Sequence, residues 1–153
     1  MRIVVLSDSH RAYATLLNIV EMQMDTADLF IFLGDGEDDF DNVLALYPNL
    51  KYERVTGNCD WYSTYPLFIE KIINGKRVFF THGHPFGVKH GLEDITREAK
   101  SRCADICLFG HTHNQFTDFK DGIHYMNPGA VCDGNYGMID ILPSGIMLIP
   151  AHI

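Results

Sequence analysis

The 153 residues carry 46% hydrophobic and 21% charged side chains, a balance that excludes a disordered chain and predicts a single domain over 1–153 with its own core. A formal net charge of -8 opposes the counterion release that holds proteins on nucleic-acid backbones, so a polynucleotide partner is disfavoured. No apolar run is long enough to cross a bilayer, and no membrane partner is expected.

In chain order, residues 2–7 (Arg-Ile-Val-Val-Leu-Ser) form a compact apolar run with no small-residue cleavage site behind it, which predicts a buried strand and not a signal peptide. Leu16, Leu17, Val20 and Met24 then recur at helical spacing. Residues 28–33 give a second buried strand. A second helix is predicted over 40–47, with Asp39 as its N-cap and Pro48 forbidding continuation, followed by a third strand over 52–56. Runs 67–73 and 76–81 flank Asn74-Gly75, a strong hairpin signal because both residues tolerate the positive φ of a type I′ turn. Leu92, Ile95 and Ala99 predict a third helix over 90–102, ahead of an apolar strand over 104–109. The runs 116–120, 123–126, 136–142 and 146–150, separated by turn residues, predict a β-meander. Helices alternate with strands early and antiparallel strands accumulate late, so the expected fold is α/β: a four-layer α/β/β/α sandwich with two packed mixed β-sheets and helices on the outer faces.

The four cysteines, Cys59, Cys103, Cys107 and Cys132, lack zinc-type pairing, and reduced thiols in a cytoplasmic protein are the expectation. Cys103 and Cys107 are read as small buried residues and not as a redox pair.

The polar residues at the strand ends carry the chemistry. Asp8-Ser9-His10 follows the first strand, Gly34-Asp35 the second and Gly57-Asn58-Cys59-Asp60 the third, while Thr81-His82-Gly83-His84 and Gly110-His111-Thr112-His113 end two later ones. Taken singly, each has an ordinary explanation: Asp after a strand is a common turn or capping residue, and His82 alone could be a hydrogen-bonded core histidine. His111 and His113 are more specific, because alternate residues of an extended segment face one way and can address adjacent metals. The conjunction decides, since His10, His82, His84, His111 and His113 are five of the eight histidines and all lie just beyond predicted strands. Carboxylate, amide and imidazole ligands suit divalent Mn, Fe, Co, Ni or Zn, and seven of them are too many for one tetrahedral ion but suit two. The acidic run Glu37, Asp38, Asp39 and Asp41 is read as a solvated helix N-terminus.

This ordered set of motifs resembles the calcineurin-like metallophosphoesterases, and the short chain resembles their small bacterial and archaeal phosphodiesterases. The resemblance implies a binuclear centre in which Asp8, His10 and His113 hold one ion, Asn58, His82 and His111 hold the other, and Asp35 bridges. Manganese is the expected ion. It implies a phosphodiesterase, with a metal-bridging hydroxide attacking phosphorus in line on a small phosphate-ester substrate. The family's usual His after the metal-binding Asn is here Cys59, so Asp60 or His84 is expected to share the leaving-group role with it. Asn127-Pro128-Gly129-Ala130 departs from the related Asn-Pro-Gly-Ser, and no nearby Arg is evident to grip phosphate. The alternative is a non-catalytic interaction scaffold on the same fold, and homo-oligomer formation is left open.

Overall fold

The computed structural model describes residues 1–153. Its ten strands form two mixed five-stranded sheets. One has the order β10-β9-β1-β2-β3, built from β1 (Arg2–Leu6), β2 (Leu29–Phe32), β3 (Tyr52–Arg54), β9 (Asn135–Leu142) and β10 (Gly145–His152). The other has the order β4-β5-β6-β8-β7, from β4 (Phe68–Ile73), β5 (Lys76–Thr81), β6 (Ile106–Leu108), β7 (Gln115–Lys120) and β8 (Ile123–Pro128). Within each sheet three neighbouring strands run parallel: β1, β2 and β3 in the first, β5, β6 and β8 in the second.

The layers follow from side-chain alternation. On β1, Ile3 and Val5 enter a core between the sheets with Ile31, Val78, Phe80, Ile106 and Leu108. Val4 and Leu6 point the other way, onto Leu16, Ile19 and Val20 of α1 (Tyr13–Gln23) and Phe40 and Val43 of α2 (Glu37–Leu46). Phe79, Cys107 and Phe109 face outward from the second sheet onto Ile95 and Ala99 of α3 (Glu93–Ser101). Both faces of the central strands are covered, which is why they read as continuous apolar runs. The result is the four-layer sandwich that the sequence predicts. No helix is long and apolar enough to cross a membrane.

Several boundaries and pairings differ from expectation. Helix α2 starts at Glu37 with Gly36 as its cap, so Asp39 is not the N-cap but a buried residue of the first turn, where its carboxylate accepts from Ser9 Oγ (2.6 Å) and Arg11 N (2.9 Å). Helix α3 is shorter than 90–102 because Gly91, at φ +156°, still belongs to the preceding turn. The C-terminal runs are two separate hairpins: β7 pairs with β8 in one sheet, β9 with β10 in the other. The chain crosses between sheets at residues 129–134, where Val131 N donates to Ser7 O and Cys132 N to Asp8 O. Turn residues mark where strands end but not which sheet edge each joins. Asn74 and Gly75 both have positive φ in the β4–β5 turn, as the hairpin signal requires. Cys107 is buried, whereas Cys103 is exposed at φ +52° just past α3; all four cysteines are free.

Candidate metal centre

The C-terminal ends of the parallel strands in both sheets open onto one edge, the usual place for chemistry in such sheets. Asp8 follows β1, Asp35 follows β2, Asn58 follows β3, His82 follows β5, and His111 and His113 follow β6. Nine non-glycine residues have positive φ, and six of them (Asp8, His10, Arg11, Asp35, His111 and His113) lie here. Left-handed backbone of this kind costs roughly 1–3 kcal/mol per residue and gathers where function over-determines the chain. His111 and His113 therefore do not lie on an extended segment, as the sequence predicts, but on a left-handed turn that sends their rings apart.

Two side-chain clusters result. In the first, Asp8 Oδ1 lies 3.2 Å from His113 Nε2 and 3.5 Å from His10 Nε2, and the two imidazole nitrogens are 3.1 Å apart. In the second, His82 Nε2 lies 3.3 Å from Asp35 Oδ2, 3.1 Å from His111 Nδ1 and 3.1 Å from Asn58 Oδ1. Asp35 Oδ2 is also 3.7 Å from His10 Nε2, and Asp8 Oδ1 is 3.9 Å from His82 Nε2, so both carboxylates reach toward the other cluster and Asp35 comes nearer.

The supporting contacts leave specific atoms free. His82 Nδ1 donates to Leu33 O (2.9 Å), which turns Nε2 inward. Asp8 Oδ2 accepts from Ser7 Oγ (2.6 Å) and His111 N (3.1 Å), while Oδ1 is buried with no hydrogen-bond partner. Asp35 Oδ1 accepts from Cys59 N (2.7 Å), leaving Oδ2 for the centre. An orphaned carboxylate oxygen among facing imidazole nitrogens is costly unless a cation joins them. Oxygen and nitrogen donors in this number fit divalent ions.

Electrostatics follow from the crowding. Burial works against the charged carboxylate of Asp35, but hydrogen bonding and the charge of His82 outweigh it and hold Asp35 well below the usual carboxylate range. Burial opposes a proton on His82, yet Asp35 and Asp8 outweigh it and raise its pKa. His111 is pushed down to about 4, first by burial and then by the charge of His82. The Cys59 thiol is pushed up to about 11, by burial and then by Asp35.

The family model for the calcineurin-like phosphoesterase superfamily domain matches residues 1–140. The chain belongs to that superfamily. Probable metallophosphoesterase YsnB of Bacillus subtilis is 30% identical over 132 residues, covering 86% of this chain and 75% of that protein. Phosphodiesterase MJ0936 of Methanocaldococcus jannaschii is 26% identical over 148 residues, covering 86% of this chain and 85% of that one. The fold is shared more widely: Vps29 of Chaetomium thermophilum superposes with a TM-score of 0.78 at 15% identity, over 99% of this chain and 95% of that one.

Within this calcineurin-like phosphoesterase, all seven residues expected as ligands come together in the two clusters. The three expected around the leaving group separate. Cys59 is exposed beside Asn58, with Sγ 3.4 Å from Asn58 Nδ2. His84 stands on the far side, its ring 5.5 Å from that of His82 and 6.1 Å from that of His111, with a buried Nδ1 lacking a partner. Burial, then the charge of His82, lowers its pKa. Asp60 faces the backbone: its oxygens accept from Asp35 N (2.8 Å), Gly57 N (2.8 Å), Gly36 N (2.9 Å) and Glu37 N (3.0 Å). That carboxylate ties the β3 loop to the β2 loop and to the start of α2.

Three further residues escape the sequence reading. Asp39 holds the backbone that carries His10, through its bonds to Ser9 and Arg11. Asn127 is buried and braces the histidine turn, with Nδ2 donating to Gly110 O (2.8 Å) and Thr112 Oγ1 (3.0 Å). Arg11 corrects the expectation that no arginine is near, since it lines the cleft beside His10 and Asp35. Its adjacency to the Asp-x-His motif is the one available signal.

Proposed function

We propose that this chain is a binuclear metal-dependent phosphoesterase, and that phosphodiesters are its substrate class. The observation that carries the reading is the pair of clusters that share Asp35 Oδ2, one with the unpartnered Asp8 Oδ1. Asp8, His10 and His113 would hold one ion and Asn58, His82 and His111 the other, with Asp35 between them. Two divalent ions, manganese first among the choices, would supply an activated water at neutral pH and neutralise charge developing on the phosphoryl oxygens. The chain's own residues hold the geometry: Leu33 O orients His82, Cys59 N and Ser7 Oγ fix the two carboxylates, and Asn127 sets the histidine turn. Cys59, protonated at neutral pH, is the thiol nearest the cleft, and we assign it the leaving-group side. Asp60 is assigned to positioning, because both its oxygens are engaged with backbone N–H groups.

The relatives named metallophosphoesterase and phosphodiesterase support this reading. The second reading is a non-catalytic scaffold on the same fold, and the fold alone, which Vps29 shares, does not separate the two. A full complement of ligand-type side chains, one of them an orphaned carboxylate, favours the enzyme. Protein purified without chelator and assayed with Mn against phosphodiesters, phosphomonoesters and cyclic nucleotides separates the two. Stoichiometric metal with turnover of a diester supports the enzyme, and absence of both sinks it.

A further inference from the structure

His10 and Asp35 of the metal clusters line a cleft of about 700 Å³. The same cleft is lined by an aromatic pair, Trp61 and Tyr62, whose relative exposures are 86% and 99%. Large aromatic side chains exposed side by side are unusual, because each forgoes a large apolar burial. Here they do not sit on a free loop. Asp60, the preceding residue, is fastened to four backbone N–H groups of the β2 and β3 loops, and Ser63 N donates back to Asp60 O (3.1 Å). The backbone that carries the aromatic pair is therefore fastened beside Asp35 and Cys59, on the same anchors that shape the metal centre. An anchored backbone lowers the entropy lost when the two rings close on a ligand.

The charges around the cleft narrow its ligand. Arg11, on the His10 side, is not a member of any ion pair in the structure. Glu37 and Asp38 line the cleft from the first turn of α2, also without a cationic partner. A phosphoryl group at the metals with Arg11 beside it is favoured, while a second anion farther along the cleft would meet Glu37 and Asp38.

Resting on the phosphoesterase reading, we infer that Trp61 and Tyr62 form the subsite for one ester group of the substrate, and that this group is planar, aromatic and uncharged. Trp61 and Tyr62 stack on it, Arg11 pairs with the phosphoryl oxygens, and the acidic wall rejects substrates with an extra phosphate or carboxylate. An aryl group and a nucleobase share this chemistry.

Trp61 is the only tryptophan in the chain, so its emission reports the rim directly and without turnover. Zinc-loaded protein is titrated with phenylphosphonate, methylphosphonate and thymidine 5′-phosphate, with affinities checked by calorimetry. Phenylphosphonate is expected to shift Trp61 emission and to bind roughly tenfold more tightly than methylphosphonate, the scale that stacking on one aromatic ring supplies. Tyr62→Ala and the double variant Trp61→Ala/Tyr62→Ala should bring the two affinities together with metal content unchanged. Thymidine 5′-phosphate matching phenylphosphonate assigns the subsite to a nucleoside, and thymidine 5′-phosphate falling to the methylphosphonate level assigns it to a simple aryl group. Equal binding of phenyl- and methylphosphonate to the metal-loaded wild type overturns the inference alone, as does an aryl preference that survives in the double variant. If neither phosphonate binds the metal-loaded protein, the phosphoesterase reading falls with it.

Discussion

Each cluster of the candidate centre joins two histidines to an Asp or an Asn, but the histidines differ in how firmly they are held. His82 is fully buried, and its second ring nitrogen is tied to Leu33 O. His10 and His113 keep 31% and 38% of their side chains exposed. One imidazole is thus aimed by the core, whereas the other two are aimed by the backbone turns that carry them. A histidine fixed by the core should be expensive to disturb for the whole protein, and one carried on a surface turn should fail locally. Asp35 joins the two regimes.

The largest effect is expected where the clusters meet. Asp35→Asn keeps an oxygen to accept from Cys59 N but removes the shared negative charge, so kcat/KM for an aryl phosphodiester should fall by roughly 10³-fold or more, the several kcal/mol of charge stabilisation that metal centres provide. Steady-state kinetics under metal-replete conditions check it; a loss smaller than tenfold would remove Asp35 from the centre.

Next comes the contrast between the clusters. His82→Ala leaves Leu33 O buried without its donor, which should cost about 1–3 kcal/mol of stability as well as an ion. His113→Ala should lose an ion from the other position with a stability change of about 0.5 kcal/mol or less. Thermal melts of the metal-free variants read the difference, and equal losses would erase the proposed asymmetry. In the same spirit, His111→Ala and His113→Ala should empty different positions, as anomalous scattering would reveal.

Much of this centre was legible in the sequence, because polar residues interrupt apolar runs at the ends of buried strands. Asp8 and His82 each follow such a run directly, and Asp35 follows one after a single glycine. What was not legible depends on distance in the chain. Asp39 looks like a helix cap until Ser9 and Arg11 are seen bonded to it, and Asp60 looks like an acid until four backbone N–H groups are found on its oxygens. The role of Arg11 depends on the left-handed turn at residues 10 and 11, and nothing local announces that turn. The four C-terminal runs were found as strands, but their division between sheets is set by pairing with β1 and β6, partners that local pattern does not name.

Smaller effects sharpen the picture of how the surface turn is supported. Asn127→Ala removes two bonds that hold the segment carrying His111 and His113, and outer contacts of this kind are typically worth 10–100-fold in metal affinity. Competition with a fluorescent chelator measures it, and an unchanged affinity would show that the turn holds itself. Smaller still is the effect of Cys59→His, which should narrow the gap between aryl and alkyl phosphodiesters severalfold, since an imidazole donates a proton more readily at neutral pH than a thiol pushed up to about 11. The ratio of kcat/KM values for the two esters decides it, and an unchanged ratio would turn attention to His84.

The most direct test of the two-cluster account is an anomalous difference map from crystals of the wild-type protein grown with Mn. The account predicts two peaks roughly 3.5–4 Å apart, one among Asp8, His10 and His113 and the other among Asn58, His82 and His111, with Asp35 touching both. A single peak, or none at these side chains, would contradict it.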